Sequence, residues 1–280
     1  MEKFSKQIFF SMFALVLLIA GCNKVGKEIT VVSRESGSGT RGAFVELFGI
    51  EQKIDVKKID LTVDTADITN STEVAITTVA GNTNAIGYIS LGSLNNKVKA
   101  LKIDGVDATV KNIKNESYKA SRPFNIVVKN DAQNPLINDF VNYIFSSEGK
   151  SIIEKKGYIS VTDNGAYVSS VNEGKLTIAG SSSVYPVMEK IAEGYKAKNP
   201  NLVVEVSQSD STIGVKSCIS GICDIGMASR EIKDSEKEQN IKDIKIAIDG
   251  IAVIVNKDNT VETLTKDEVR QIYMGEKTNW

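Results

Sequence analysis

A β-branched apolar run, Ile29-Thr30-Val31-Val32, leads into a polar stretch from Ser33 to Gly42 and then into a helical apolar pattern from Ala43 to Phe48. The same order of strand, polar turn and helix returns later. Leu176-Thr177-Ile178-Ala179 precedes Gly180-Ser181-Ser182-Ser183, and Val184, Val187, Met188, Ile191 and Tyr195 then mark one helical face. Leu202 to Val206 precedes the turn Ser207 to Thr212 and a helix through Ile219. Between these units the pattern predicts a polar segment at 51–69, a helix from Thr72 ending at Gly81, and strands at 85–89, 98–103 and 123–128. Leu136, Ile137, Phe140, Val141, Ile144 and Phe145 recur at helical spacing, with Ile152 and Ile153 continuing that face. Asp224 to Ala228 reads as a strand running into Ser229-Arg230, Ile244 to Val255 as an apolar run broken at Asp249-Gly250, and Leu264 to Tyr273 as a last helix. Residues 162–175 lack periodicity and predict a surface linker. Alternating strands and helices predict a mainly parallel α/β sheet, built twice.

The three turns, Arg34 to Thr40, Gly180 to Ser183 and Ser207 to Thr212, share a chemistry. Each places short hydroxyls and unpaired backbone N–H groups at a helix N-terminus, where the helix dipole favours anions. One such turn reads as ordinary capping. Three of them, with Arg34 and Arg41 beside the first, predict a small-anion site at the strand ends.

Composition narrows the function. The 280 residues carry a net charge of −1, which argues against nucleic-acid binding, and have no histidine, which removes the Ser-His-Asp triad and most zinc sites. Neither a catalytic constellation nor a cofactor or metal motif is evident. Gly37-Ser38-Gly39-Thr40-Arg41-Gly42 matches the dinucleotide fingerprint literally, but a second and third anion turn favour a compact anion. Gly149-Lys150-Ser151 ends like a P-loop, yet Ile144 stands where its first glycine is needed. Cys218 and Cys223 are too far apart for a C-x-x-C pair; they read as buried thiols, with a disulfide as the alternative.

The N-terminus reads as an export signal. Lys3 and Lys6 precede an apolar core from Ile8 to Ile19, and Leu18-Ile19-Ala20-Gly21-Cys22 resembles the bacterial lipobox. That resemblance implies a signal peptide at 1–21, lipidation of Cys22 and a tether at 22–27.

Arg34-Glu35-Ser36-Gly37-Ser38-Gly39-Thr40-Arg41 resembles the R-x-x-G-S-G-T motif of the phosphate-binding lipoproteins of bacterial phosphate ABC transporters. The segments at 177–200, 209–231, 248–280 and 122–161 resemble further parts of that family, in a rotated order: its usual start follows the linker at 162–175. The chain is thus similar to a circularly permuted member, with truncation at Trp280 as the alternative. The resemblance implies a two-lobed α/β periplasmic-binding-protein-like fold of type II with a cleft between the lobes. Residues 28–123 and 255–280 would form one lobe and 124–254 the other.

It also implies a non-enzymatic, monomeric protein on the outer face of the cell membrane. There it would bind inorganic phosphate and deliver it to an ABC permease. The implied ligand residues are Arg34, Ser38, Gly39 and Thr40 from one lobe, and Ser182, Ser183 and Ser211 from the other. Family members place an aspartate where this chain has Arg230; Asp210 is the substitute acid, and Arg230 with Ser229 a further cation and donor. Arg41 reads as a solvated side chain. Sulfate or molybdate binding, phosphate sensing without transport, and phosphoryl or ester hydrolysis are the alternatives.

Overall fold

The computed structural model describes residues 26–280; the expected signal peptide, Cys22 and most of the tether lie outside the described residues. The first part of the chain forms β1 (Thr30–Arg34), α1 (Gly39–Leu47), β2 (Glu51–Ile54), β3 (Lys57–Asp60), β4 (Asp67–Thr69), α2 (Thr72–Gly81), β5 (Ala85–Ser90), β6 (Val98–Ala100), β7 (Lys102–Ile103) and α3 (Val110–Lys114). The middle forms β8 (Ser121–Lys129), α4 (Leu136–Ile144), α5 (Ser147–Lys155), β9 (Ile159–Ser160), β10 (Gly174–Ser181), α6 (Tyr185–Lys198), β11 (Leu202–Ser209), α7 (Ser211–Ile219), β12 (Ile225–Ala228) and α8 (Asp234–Lys237). The chain ends in β13 (Ile241–Asn256), β14 (Thr263–Leu264) and α9 (Lys266–Tyr273).

The two expected sheets are joined. Parallel groups β11-β10-β12 and β5-β1-β4 are bridged by antiparallel β8 and β13 into one ten-stranded sheet. The bridge exists because β13 is unbroken for 16 residues, where a break at Asp249-Gly250 was expected. Gly250 keeps its place in the ladder opposite Ser121, and a side chain there would strike Ile113, 2.5 Å from the Cβ. The segment at 51–69 is ordered as the β2–β3 hairpin and β4, and the strand expected at 98–103 divides at Leu101. Helical periodicity at 136–153 is split by Ser146, which caps α5 through a bond from Gly149 N.

Two large apolar cores sit on the sheet, with smaller clusters around Ile76, Ile89 and Ile254 and around Val127, Val215 and Cys218. One gathers Phe124, Ile126, Phe140, Leu176, Ile191 and Ala247; the other gathers Phe44, Ile86, Tyr88, Ile251, Val269 and Tyr273. Along β13 the change of core falls between Ala247 and Ile251. In the second core the Phe44 and Tyr88 rings stack at 3.8 Å, and Tyr273 meets Phe44 edge-on at 4.7 Å. The two ends of the described chain meet there: Glu28 bridges Asn279, and Ile29 N donates to Thr278 O at 2.8 Å.

The linker at 162–175 is largely exposed but tied down at several points: Asn164 N donates to Phe145 O at 2.8 Å, Ser147 N to Gly165 O at 2.8 Å and Tyr167 N to Glu148 at 3.0 Å. Buried Asp139 of α4 accepts from Ser170 N at 2.8 Å, Ser170 Oγ at 2.6 Å and Tyr167 OH, and from Tyr195 OH of α6 at 2.7 Å. Both Cys218 and Cys223 are buried free thiols. Among the described residues no helix is long and apolar enough to cross a membrane.

Candidate functional site

Strand β1 ends in Arg34, and the turn that follows is built so that α1 can start at once. Ser38 caps the helix by accepting from Arg41 N at 3.3 Å, and Ser38 N donates to Glu35 O at 3.0 Å. Arg34 is 1 % exposed. Its Nη2 donates across to Ser182 Oγ at 3.1 Å, its Nε donates to Thr69 O at 3.3 Å, and Nη1 reaches Thr72 Oγ1 at 3.5 Å.

The other turns come to the same place. Thr40 Oγ1 and Ser183 Oγ are 2.8 Å apart, and Thr72 Oγ1 lies 3.1 Å from Ser183 Oγ. Ser181 Oγ donates to Ser229 Oγ at 2.9 Å, and Ser229 N donates to Ser211 Oγ at 3.0 Å. The fit is close because Gly39 has no side chain: a Cβ there would sit 2.4 Å from Ser211 Oγ and 2.8 Å from Ser229 Oγ. Gly37 does the same opposite Asp210, whose carboxylate would be 2.4 Å from a Cβ. Gly180 completes the close packing beneath, since its Cβ would strike Met227 O at 2.4 Å. The turn expected at Ser207 to Thr212 is shorter than that: β11 continues to Ser209, leaving Asp210 as the helix cap.

The structure therefore brings Arg34, Ser38, Gly39, Thr40, Ser182, Ser183, Ser211 and Ser229 into one buried cluster. Asp210 and Arg230 stand at its edge. Asp210 Oδ1 accepts from Ile213 N at 2.7 Å and so caps α7. Arg230 forks onto Glu236 with two bonds of 2.8 Å and touches Thr212 Oγ1 at 3.3 Å. Burial raises the Glu236 carboxyl, but bonds from Arg230 and the Lys233 backbone outweigh it and hold the group below its ordinary value. Arg230 borders a groove of about 300 Å³ that also includes Ser36, Gly37, Arg41, Asp60 and Lys233.

Arg41 corrects an expectation. It is not a solvated side chain: its Nε pairs with Asp60 at 2.7 Å and its Nη1 donates to Arg34 O at 2.8 Å. It braces the backbone that carries Arg34, because the β2–β3 hairpin brings Asp60 beside the first turn of α1.

Four residues were not found from sequence. Thr69 and Thr72 reach Arg34 from β4 and α2, whose Ser71-capped start resembles any surface helix. Tyr88 accepts from Arg34 N at 3.2 Å and lies 2.9 Å from Ser33 Oγ; burial pushes its hydroxyl up to about 12. Glu35 forks onto Arg34 with bonds of 2.8 and 2.9 Å. Only the last had a sequence signal, an acid next to the arginine, which alone does not say where the carboxylate points.

Chemically the cluster is rich in donors that can turn toward an anion, and the buried Arg34 guanidinium supplies charge in a dry place. Among the described residues no group of acids and thiols could hold a metal ion.

The PBP superfamily domain model matches residues 23–148 and 165–280. The phosphate-binding protein PstS 2 of Streptococcus agalactiae serotype V is 52% identical over 269 residues, covering 94% of this chain and 92% of its own length. The crystal structure of a phosphate ABC transporter phosphate-binding protein from Streptococcus pneumoniae TIGR4 is 44% identical, with a TM-score of 0.71 over 90% of this chain and 98% of that one. The phosphate-binding protein PstS of Staphylococcus haemolyticus is 39% identical over 115 residues, 39% of this chain and 36% of its own.

Proposed function

This chain belongs to the PstS phosphate-binding proteins of the PBP superfamily, and from that membership we propose that it binds inorganic phosphate outside the cytoplasm and delivers it to the permease of an ABC transporter. The observation that carries this reading is the contact between Arg34 of β1 and Ser182 beyond β10, at 3.1 Å, beside the Thr40–Ser183 pair at 2.8 Å. Donors from the two apolar bodies meet at a single buried arginine. An oxyanion placed among them has its oxygens satisfied from both sides, which offsets the cost of taking it out of water. Lobe closure around the anion is then the whole of the function, and no chemical step on phosphate is required.

Arg34, Ser38, Gly39, Thr40, Ser182, Ser183, Ser211 and Ser229 are the phosphate ligands in this reading, with Asp210 and Arg230 at the rim. The protein acts as a monomer, held to the membrane by lipid on Cys22, and the lobes comprise 28–123 with 255–280, and 124–254. The alignment with the Streptococcus agalactiae relative along 92% of its length supports the rotated order as a feature of whole proteins of this kind.

Calorimetric titration of the mature protein with phosphate, sulfate and molybdate tests the proposal. One phosphate per chain, bound more tightly than the other two, is the expected result. Absence of phosphate binding, or a preference for sulfate, would overturn it.

A further inference from the structure

Gly37 and Thr212 are joined by two bonds. Thr212 N, a donor that the first turn of α7 leaves unpaired, donates to Gly37 O at 3.2 Å, and Thr212 Oγ1 reaches the same oxygen at 3.2 Å. Gly37 lies in the turn after β1, whereas Thr212 is the second residue of α7, which packs on β10 and β12. The carbonyl of one turn is thus gripped by the helix that follows another.

Only one direction of the hydroxyl proton fits. Arg230 Nη2 donates to Thr212 Oγ1 at 3.3 Å, and a guanidinium accepts nothing. The hydroxyl must take that bond on a lone pair, which sends its own proton to Gly37 O. Arg230 is itself held. Its Nη1 donates to Glu231 O at 3.0 Å, and both terminal nitrogens fork onto Glu236 at 2.8 Å. Glu236 is fixed in turn by Lys233 N, at 2.9 Å, at the start of α8. A guanidinium tied in this way cannot turn to an anion in the Arg34 cluster without giving up its fork.

We propose that Thr212 is the latch of the cleft, holding the closed form on Gly37 O, and that Arg230, set by Glu236, is the residue that positions it. The inference rests on the phosphate reading above and concerns how long the anion is kept, not which anion is chosen. Thr212 and Gly37 both border the groove beside Arg230, so water replaces their bonds when the lobes part. Each bond is therefore worth little on its own, which suits a contact that must break in every cycle. Because it forms only when the two turns meet, it stabilises the closed form and leaves the open form, and hence the rate of association, unchanged.

The test follows release of isotope-labelled phosphate chased with excess unlabelled phosphate, beside calorimetric affinities for phosphate and sulfate and thermal unfolding without anion. Thr212→Val keeps the shape and the backbone N–H and loses the hydroxyl. It should release phosphate about threefold to tenfold faster, with the association rate, the phosphate-to-sulfate ratio and the unfolding midpoint of wild type. Thr212→Ser should restore slow release. Arg230→Gln should also speed release, yet add nothing to Thr212→Val, because it acts through the same hydroxyl. Release at the wild-type rate from Thr212→Val, a loss confined to association, or a changed ratio would overturn the latch. A further loss when Arg230→Gln is added to Thr212→Val would show that Arg230 meets the anion itself, and would overturn its positioning role. Wild type that binds no phosphate would instead overturn the function on which the latch rests.

Discussion

Arg122 of β8 and Asp249 of β13 are ladder partners whose side chains meet at 3.1 Å with 2% and 0% of their surface exposed. They lie where both strands pass from one apolar core to the other. Arg122 Nη1 also donates to Ser229 O at 2.9 Å, which links the crossing strands to the hydroxyl cluster of the site. Asp249 Oδ1 has no hydrogen-bond partner, so part of the cost of burying this pair is not offset.

Removing one partner should therefore be far worse than removing both. Asp249→Ala leaves a buried guanidinium unpaired and should cost about 3–5 kcal/mol of stability, whereas Arg122→Met with Asp249→Leu should recover most of it. Denaturant unfolding of the three proteins measures this. Equal losses in the single and double variants would show that packing, not charge, governs the position.

The same pair sets a pH dependence. Burial outweighs the Arg122 guanidinium and pushes the Asp249 carboxyl up to about 6. A folded-state value above the unfolded one gives a stability contribution that is complete below the unfolded value and is lost as pH rises through about 6. Asp249→Asn lacks that dependence. The stability of wild type relative to Asp249→Asn should decline between pH 4 and pH 7.5, and a relative gain over that range would refute the assignment.

Asp139 carries the opposite sign. Burial raises its carboxyl, but the bonds from Ser170, Tyr167 and Tyr195 prevail and hold it below the ordinary value. Its contribution is present above the unfolded value and is lost as pH falls through the lowered folded one. Because those donors fasten the linker to α4 and α6, Asp139→Ala should cost about 2–4 kcal/mol. It should also speed proteolytic cleavage within 162–175 while phosphate binding persists. Cleavage at the wild-type rate would mean that the bonds from Asn164 N to Phe145 O and from Tyr167 N to Glu148 hold the linker without Asp139.

The strand, turn and helix units were legible because their signals are local: β-branched runs, then Ser, Thr and Gly, then helical periodicity. That was enough to bring Arg34, Thr40, Ser182, Ser183 and Ser211 under one hypothesis. What sequence did not reveal depends on distance. Arg122 and Asp249 are 127 positions apart, and neither belongs to a motif. Arg230 looks like a free cation until the backbone after β12 turns Glu236 back onto it. The break expected at Asp249-Gly250 failed for a related reason. Acid followed by glycine signals a turn in an exposed strand, but here Arg122 neutralises the acid and the packed Ile113 requires the glycine.

Arg34 and Arg41 should separate cleanly in binding. Arg34→Ala removes a charge-assisted bond from a buried site and should weaken phosphate binding by about 2–4 kcal/mol. Arg41→Ala acts only through the Arg34 carbonyl and Asp60, so its effect should stay below about 1 kcal/mol. Titration of both variants decides the matter, and comparable losses would place the site elsewhere.

Gly39→Ala should abolish binding without unfolding the protein. The added methyl would meet Ser211 Oγ at 2.4 Å and Ser229 Oγ at 2.8 Å, both belonging to the opposite core. Each core is intact without this contact, so the strain is relieved by parting the lobes. Small-angle scattering should show a larger radius for the variant in phosphate. A closed, binding-competent Gly39→Ala would mean that the serines can move aside.

The final segment completes the second core. Val269, Ile272 and Tyr273 of α9 are completely buried, and Tyr273 donates its hydroxyl to Val32 O at 3.1 Å while its carbonyl accepts from Val63 N at 2.7 Å. Burying three such side chains is worth roughly 5–9 kcal/mol, comparable with the whole stability of an ordinary domain. Ending the chain after Asn256 should therefore unfold the second core and expose Phe44 and Tyr88, while the first core, centred on Phe140, Leu176 and Ile191, loses nothing it touches. Circular dichroism and fluorescence of Trp280-free truncations should report a partly folded protein that binds no phosphate. Tyr273→Phe keeps the ring and loses one hydrogen bond, so it should fold, bind and lose only about 1 kcal/mol. A truncated protein that unfolds in one cooperative step at the wild-type midpoint would show that α9 is an attachment to the second core and not part of it.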